Sequence, residues 1–173
     1  EMKIGNRFCY DRTHPDHRPA SDFEIVADGA ARADHVASSI ALTQAAADYG
    51  LSSVLAFHNT IAASSEFAAT FRRTHALLTA RGLVRDGRAA KVIHIDGSTK
   101  LSDRLAATQT LAIHDPARWN MVTNARCLTE GINIPALDAV FFAEPRSSEV
   151  DVAQAVGRAI RKNPNHDRPA LIV

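Results

Sequence analysis

The alternation of short apolar runs with longer segments of helical periodicity limits the folds open to this chain more than any other feature. Ser53–Phe57 and Lys91–Ile95 are short runs that fit buried strands. Ile61–Ala80 instead carries its large apolar side chains at helical spacing. Because strands that alternate with helices build βαβ units, the sequence predicts an α/β fold, with a mostly parallel sheet and helices on both faces.

Helix starts and stops refine this prediction. The first helix begins near residue 30 and ends at Gly50, and the second has Thr60 as its N-cap. A third helix spans Leu101–His114, and a fourth starts at a capping box beginning at Ser148 and runs to about Arg161. The predicted apolar faces are Ala33, Val36, Ala37, Ile40 and Ala41 in the first helix, Phe67, Phe71 and Leu78 in the second, and Leu101, Leu105 and Ala112 in the third. The remaining predicted strands are Trp119–Thr123, Asp138–Ala143 and Ala170–Val173.

Length and charge bound the classes of protein that remain. A chain of 173 residues suits one domain, which we place at residues 30–173. Residues 1–29 are expected to form an irregular linker, with possible edge strands at Arg7–Tyr10 and Phe23–Ala27. No apolar run reaches 18 residues, so no transmembrane helix is expected. The net charge of +1 excludes a strongly basic nucleic-acid binder but leaves room for a local basic groove.

Two cysteines, Cys9 and Cys127, lie far apart and show no CxxC spacing. Reduced thiols in a cytoplasmic protein are the simplest interpretation. His14 and His17 lie near two aspartates in a loop, a pattern more typical of polar surface than of a metal centre, and no metal site is expected in this chain.

The predicted fourth helix carries the most distinctive chemistry. Gln154, Arg158 and Arg161 share one face at i, i+4 and i+7. Arginine forks suit phosphate oxygens, although a solvated basic face would show the same spacing. Gly157 disfavours that second interpretation, since glycine inside a helix costs about 1 kcal/mol and indicates a close approach to the backbone.

Three more polar segments follow predicted strands. Thr123–Pro135 offers a glycine, short polar side chains and free amides that could hold a phosphate or a ribose, or could simply connect two strands. Phe57–Thr60 and His94–Thr99 also begin at strand ends. In open parallel sheets, ligand sites gather at the carboxyl ends of the strands.

In this order and spacing the four segments resemble the second RecA-like domain of superfamily two helicases, close to bacterial restriction-enzyme-like helicases. Phe57–Thr60 resembles motif IV, His94–Gly97 motif IVa and Thr123–Pro135 motif V, while Gln154–Arg161 matches the QxxGRxxR form of motif VI at each fixed position. The resemblance covers about residues 30–173 and implies a RecA-like fold.

The resemblance implies a role for this chain at an ATP site shared with a first RecA-like domain of the same polypeptide. Arg158 and Arg161 would act as arginine fingers on the γ-phosphate. The resemblance further implies ATP contacts from Gln154, Glu130, Gly131, Asn133 and Gly157. The first domain would hold the Mg²⁺, because this chain lacks both a GxxxxGKS/T phosphate loop and a DExH or DEAD segment. The isolated chain is therefore expected to be inactive.

The same resemblance implies backbone contacts to nucleic acid from Asn59, Thr60, Gly97, Ser98, Thr123, Asn124 and Thr129. DNA is favoured over RNA, because QxxGRxxR is similar to DNA-directed branches whereas DEAD-box RNA helicases favour HRxGRxxR. The expected function is the C-terminal motor domain of an ATP-dependent DNA helicase or translocase. The alternative is a non-catalytic module that binds nucleic acid or protein and keeps the helicase fold.

The isolated histidines and the tryptophan have simpler expected roles. His58, His94 and His114 lie near element ends and are expected to be structural. His75 and Trp119 are expected to pack in or near the core.

Overall fold

The computed structural model describes residues 32–125, 137–144, 157 and 170–172. Its helices are α1 (Ala33–Tyr49), α2 (Ile61–Ala80) and α3 (Leu101–Thr110). Its strands are β1 (Ser53–Phe57), β2 (Ala89–Ile95), β3 (Arg118–Asn124), β4 (Ala139–Phe142) and β5 (Leu171–Ile172).

The five strands form one sheet in the order β2-β3-β1-β4-β5. Every neighbouring pair is parallel. The predicted α/β fold with a parallel sheet is therefore confirmed, and the crossovers place β1 at the centre, between β3 and β4.

Helices cover both faces of the sheet, as predicted. On one face, α1 and α2 bury Leu42, Phe67 and Phe71 against alternate residues of β1, such as Val54 and Ala56. On the other face, Ala107 of α3 and Leu111, which directly follows α3, belong to a cluster that contains the intervening β1 residues, Leu55 and Phe57. Because side chains alternate between the two faces of a strand, β1 contributes residues to two separate hydrophobic cores.

Local signals fixed several boundaries. The bounds of β1 and α2 are those predicted, and the Thr60 hydroxyl caps α2 by accepting the Ala63 N–H at 3.1 Å. Gly50 ends α1 at φ 62°, a left-handed conformation that glycine adopts without steric cost. Strands β2 and β3 begin earlier than predicted, at Ala89 and Arg118.

The predicted buried face of α1 is wrong in part. Ala33, Ala37 and Ala41 are exposed. The buried side chains are His35, Val36, Ser39, Ile40, Leu42, Thr43 and Ala46. The face is rotated toward α2, since the His35 ring meets Phe67 with centroids 5.7 Å apart and Thr43 Oγ1 lies 3.3 Å from His75 Nδ1.

The predicted third helix was too long, and its predicted face was wrong. Helix α3 ends at Thr110, because the backbone N–H groups of Leu111, Ala112 and Ile113 donate to the carbonyl oxygens three residues earlier, in place of the four-residue spacing of an α-helix. Leu101 and Leu105 are 58% and 40% exposed. Ala107 and Leu111, which are also four residues apart, form the buried pair instead.

Other predicted elements fall outside the described residues. These are the two N-terminal strands, Arg7–Tyr10 and Phe23–Ala27, and most of the helix from Ser148 to Arg161. Among the helices that the structure describes, none has the length and apolarity to cross a bilayer.

His75 and Trp119 pack in the core, as expected. The His75 ring stacks on Phe71 with centroids 5.8 Å apart and meets Trp119 edge-on at 6.0 Å. Its Nδ1 lies 3.3 Å from Thr43 Oγ1, and its Nε2 lies 3.0 Å from the Arg88 carbonyl oxygen. Burial lowers the pKa of His75 below its usual 6.5, because the charged ring would lose its hydration.

This lowered pKa predicts that the folded chain loses stability as the pH falls. Below about pH 6.5 the unfolded chain binds a proton at His75 that the folded chain does not, so the free energy of unfolding decreases. Urea unfolding of the chain between about pH 7.5 and about pH 5.5 measures this slope. His75→Gln should reduce the slope and leave the part that the lowered pKa of His94 contributes, whereas His114→Gln, a change at an exposed position, should keep it. A wild-type chain that gains stability on acidification would contradict the prediction.

Candidate functional site

The carboxyl ends of the strands meet at one edge of the sheet. Asn124, the last residue of β3, lies in register with Phe57 of β1 and with Ile95 of β2. Phe57 is also in register with Phe142, the last residue of β4. The segments that follow these four residues therefore emerge side by side, and three of them are the polar segments predicted from the sequence.

The segment after β1 is tied to its neighbours by backbone donors. The His58 N–H donates to the Asn124 carbonyl oxygen at 2.9 Å, and the Asn59 N–H donates to Glu144 Oε2 at 2.8 Å. Thr60 is exposed, and its hydroxyl accepts the Ala63 N–H. The hydroxyl proton of Thr60 remains able to donate to a ligand, whereas the Asn59 N–H is held by a carboxylate.

The segment after β2 is a tight turn built around the Asp96 carboxylate. Asp96 Oδ1 accepts the Ser98 hydroxyl at 2.7 Å, the Ser98 N–H at 2.8 Å and the Thr99 N–H at 3.0 Å. The bonds from Ser98 hold the pKa of Asp96 below its usual range, since they stabilise the charged form. Gly97 and Ser98 are exposed as a predicted contact requires, but a phosphate at Ser98 would have to replace its bonds to Asp96.

The end of β3 is interior. Thr123 and Asn124 are both fully buried, although both were predicted to face nucleic acid. The Thr123 hydroxyl donates to the Ser64 carbonyl oxygen at 3.4 Å, and Asn124 Nδ2 donates to the Ala56 carbonyl oxygen at 3.1 Å. These two side chains therefore hold strand ends and helix together and offer no exposed surface to a ligand.

The His94 side chain, on β2, lies against the buried Thr123 side chain at the end of β3. Its Nδ1 lies 3.0 Å from Ser64 Oγ and 3.3 Å from Thr123 Oγ1, and its Nε2 lies 3.8 Å from Asp96 Oδ2. Burial lowers the pKa of His94, and the nearby Asp96 charge offsets part of this effect. The ring is thus neutral near pH 7.

The predicted nucleotide contacts lie almost wholly outside the described residues. This applies to Glu130, Gly131, Asn133, Gln154, Arg158 and Arg161, and to the predicted nucleic-acid contact Thr129. Gly157 is described as helical and exposed, and a Cβ built on it would meet no atom within 4 Å. Among the described residues, none therefore approaches Gly157 closely.

Sequence reasoning missed two members of the site, Glu144 and Ser64. Glu144 follows β4 at the same edge as the predicted segments, so the strand-end rule could have identified it. Ser64 lies in the first turn of α2 and had no sequence signal. In the described part of the chain, His, Cys, Asp and Glu side chains form no group of three that could hold a metal ion.

Comparisons with known proteins identify the family of this domain. Residues 48–163, more than half of the chain, match the family model of the helicase conserved C-terminal domain. A probable helicase of African swine fever virus is 43% identical over 42 residues, which are 24% of this chain and 5% of the viral protein.

Solved structures share the fold. An ATP-dependent Type ISP restriction-modification enzyme, LlaBIII, bound to DNA is 29% identical with a TM-score of 0.68, over 89% of this chain and 11% of that one. The Escherichia coli DEAD-box protein SrmB is 15% identical with a TM-score of 0.55, over 83% of this chain and 71% of that one, and shows the fold alone. The chain thus spans a small part of the length of the viral and restriction-modification relatives.

The parallel sheet, the strand-end segments and the family match agree, so this chain belongs to the helicase conserved C-terminal domain family, the second RecA-like domain of superfamily two helicases.

Proposed function

We propose that this chain is the C-terminal motor domain of an ATP-dependent DNA helicase or translocase. The observation that carries the proposal is the alignment of three motif-bearing segments at one sheet edge, in a domain of the helicase family. Closure of two domains around ATP at such an edge would couple hydrolysis to a change in the grip on the nucleic acid.

At the nucleic-acid side, Thr60 and Gly97 supply the exposed contacts, with Asn59 and Ser98 beside them. Lys100, exposed between that turn and α3, adds a positive charge. Such contacts address the phosphate backbone and carry no sequence information. DNA is the proposed strand, because the 29% identical restriction-modification enzyme was solved bound to DNA and because motif VI has the QxxGRxxR form.

At the nucleotide side, Arg158 and Arg161 would reach ATP held mainly by a first RecA-like domain of the same polypeptide. Two guanidinium groups near the γ-phosphate would neutralise charge that develops in the transition state. Gln154, Gly131 and Asn133 would position the nucleotide, and the first domain would hold the Mg²⁺. We expect the isolated chain to hydrolyse no ATP, because it lacks a phosphate loop.

Steady-state ATP hydrolysis by the full polypeptide tests this proposal. The rate should rise on addition of single- or double-stranded DNA, and DNA should stimulate more strongly than RNA of matched length. A folded polypeptide that hydrolyses no ATP under any of these conditions would overturn the proposal. Binding of DNA without hydrolysis would then favour the non-catalytic module.

A further inference from the structure

Three consecutive residues after β1 are each hydrogen bonded to a different element. The His58 N–H donates to the carbonyl oxygen of Asn124 at the end of β3, and the Thr60 hydroxyl caps α2. Between these two residues, the Asn59 N–H donates at 2.8 Å to the carboxylate of Glu144, which lies just after β4. This short segment is thus held from three sides, and one of its three attachments is a side chain.

The bond from Asn59 stands where the β1–β4 ladder would otherwise continue. The Phe57 carbonyl oxygen accepts the Ala143 N–H at 3.0 Å on the β4 side, whereas the next residue, His58, bonds to β3. Since backbone groups alternate between the two sides of an extended chain, the Asn59 N–H faces the β4 side again. Its acceptor there is the Glu144 carboxylate in place of a main-chain carbonyl.

Glu144 does not suit direct contact with a nucleic acid. A carboxylate and a backbone phosphate both only accept hydrogen bonds, and their charges repel. A phosphate also cannot take the Asn59 N–H while the carboxylate holds it. Thr60 is exposed, and its hydroxyl proton can donate to a ligand while its oxygen caps α2. The direction of that hydroxyl depends on the backbone of Asn59, which directly precedes it.

We propose that Glu144 is a positioning residue, which holds the Asn59 backbone so that the neighbouring Thr60 hydroxyl faces a nucleic-acid phosphate. This inference rests on the proposed function, since that function supplies the nucleic acid as the ligand. Without the carboxylate, the partly buried Asn59 N–H loses its acceptor and turns toward water, so Thr60 is held less firmly. Nucleic acid then binds more weakly, while ATP hydrolysis at saturating nucleic acid keeps its wild-type rate.

Two conservative variants separate the reach of the Glu144 side chain from its charge. Glu144→Gln keeps the length and a carbonyl oxygen that accepts the Asn59 N–H, but removes the charge. Glu144→Asp keeps the charge but draws the carboxylate back by one methylene group, so the bond to Asn59 is lost. The readout is the concentration of single-stranded oligo(dT) that half-stimulates ATP hydrolysis by the full polypeptide, with the rate at saturation measured in parallel.

For Glu144→Asp we expect this half-stimulating concentration to rise about threefold to tenfold, since part of the free energy of one charge-assisted hydrogen bond is lost from nucleic-acid binding. The saturated rate should not change, and Glu144→Gln should stay near wild type in both measurements. A role of the charge at the start of α2 predicts the reverse order, because only Glu144→Gln removes that charge. A role in stability alone predicts easier unfolding of Glu144→Asp in urea with an unchanged half-stimulating concentration.

Glu66→Asp is the matched control. Glu66 is also partly buried, and its charge acts on Arg32 as that of Glu144 does, so both carboxylates lie near the residue that precedes α1. Glu66 belongs to α2, however, and the Asn59 N–H is held by Glu144. Shortening Glu66 removes the same methylene group and should leave the half-stimulating concentration unchanged.

Each remaining outcome decides the inference. If Glu144→Asp does not fold, Glu144→Ala removes the same acceptor and takes its place. If neither folds, hydrogen exchange of the Asn59 amide decides: protection in wild type that Glu144→Gln retains supports the inference, and exchange as fast as in an unfolded peptide overturns it. Folded Glu144→Asp with an unchanged half-stimulating concentration would overturn the inference alone. A wild-type polypeptide that oligo(dT) does not stimulate would overturn the proposed function and this inference with it.

Discussion

Replacement of Arg158 by alanine in the full polypeptide is expected to lower the DNA-stimulated rate of ATP hydrolysis about 10³–10⁵-fold, the usual value of an arginine finger. Arg161→Ala is expected to act similarly, since both side chains lie on one face of the predicted helix and address the same developing charge. The loss is expected in the rate at saturating ATP and DNA, because the contact between arginine and phosphate forms chiefly in the transition state.

A matched variant separates this effect from a general loss of positive charge. Arg85→Ala removes an arginine that pairs with Asp48 at 2.8 Å, with both side chains more than 40% exposed. Arg85 precedes β2 and so lies toward the amino edge of the sheet, away from the strand-end segments. Its variant should hydrolyse ATP at the wild-type rate. Wild-type rates of ATP hydrolysis in both Arg158→Ala and Arg161→Ala would contradict the assignment of these residues as arginine fingers.

Phe67→Ala is expected to destabilise the chain by about 3–5 kcal/mol, the usual cost of deleting a buried phenyl ring. The Phe67 ring is fully buried on α2. Its neighbours are the rings of His58, Phe141, His35 and Phe71, with centroids 4.9, 5.5, 5.7 and 6.0 Å away. These rings come from α1, α2, β4 and the residue that follows β1, so no single shift can refill the cavity.

Urea unfolding followed by circular dichroism measures this loss. Ser65→Ala, on the exposed side of the same helix, should change the free energy of unfolding by less than about 0.5 kcal/mol. A loss below about 1 kcal/mol in Phe67→Ala would show that the ring is not a central part of the core. Since whole domains are stable by only about 5–15 kcal/mol, the expected loss is a large share of the total.

The sequence predicted those elements whose signals are local. The bounds of α2 were correct because a capping threonine lies before a helical apolar pattern, and β1 was correct because its apolar run is short and continuous. The buried faces of α1 and α3 were not predictable in the same way. A small residue such as Ala37 or Ala107 suits either side of a helix, and the neighbouring element decides which one is covered.

In the candidate site, too, some features follow from local sequence and others depend on the tertiary structure. The exposure of Thr60 and Gly97 agrees with their predicted role, because both follow strands that end at one edge. The burial of Thr123 and Asn124 differs from the prediction, because the end of β3 lies between β2 and β1 in the middle of the sheet. A central strand buries even its polar end when helices cover it. The residues of the strand alone do not determine its position in the sheet.

The sequence by itself determined the fold class, the order of the elements and the family, since apolar periodicity, caps and motif spacing act between residues close in the chain. Only the tertiary structure decided that His94 meets Ser64 and Thr123, which lie 30 and 29 residues away from it. Such contacts depend on strand register and on how a helix crosses the sheet. Those are set by the summed packing of the whole core, so no local pattern specifies them.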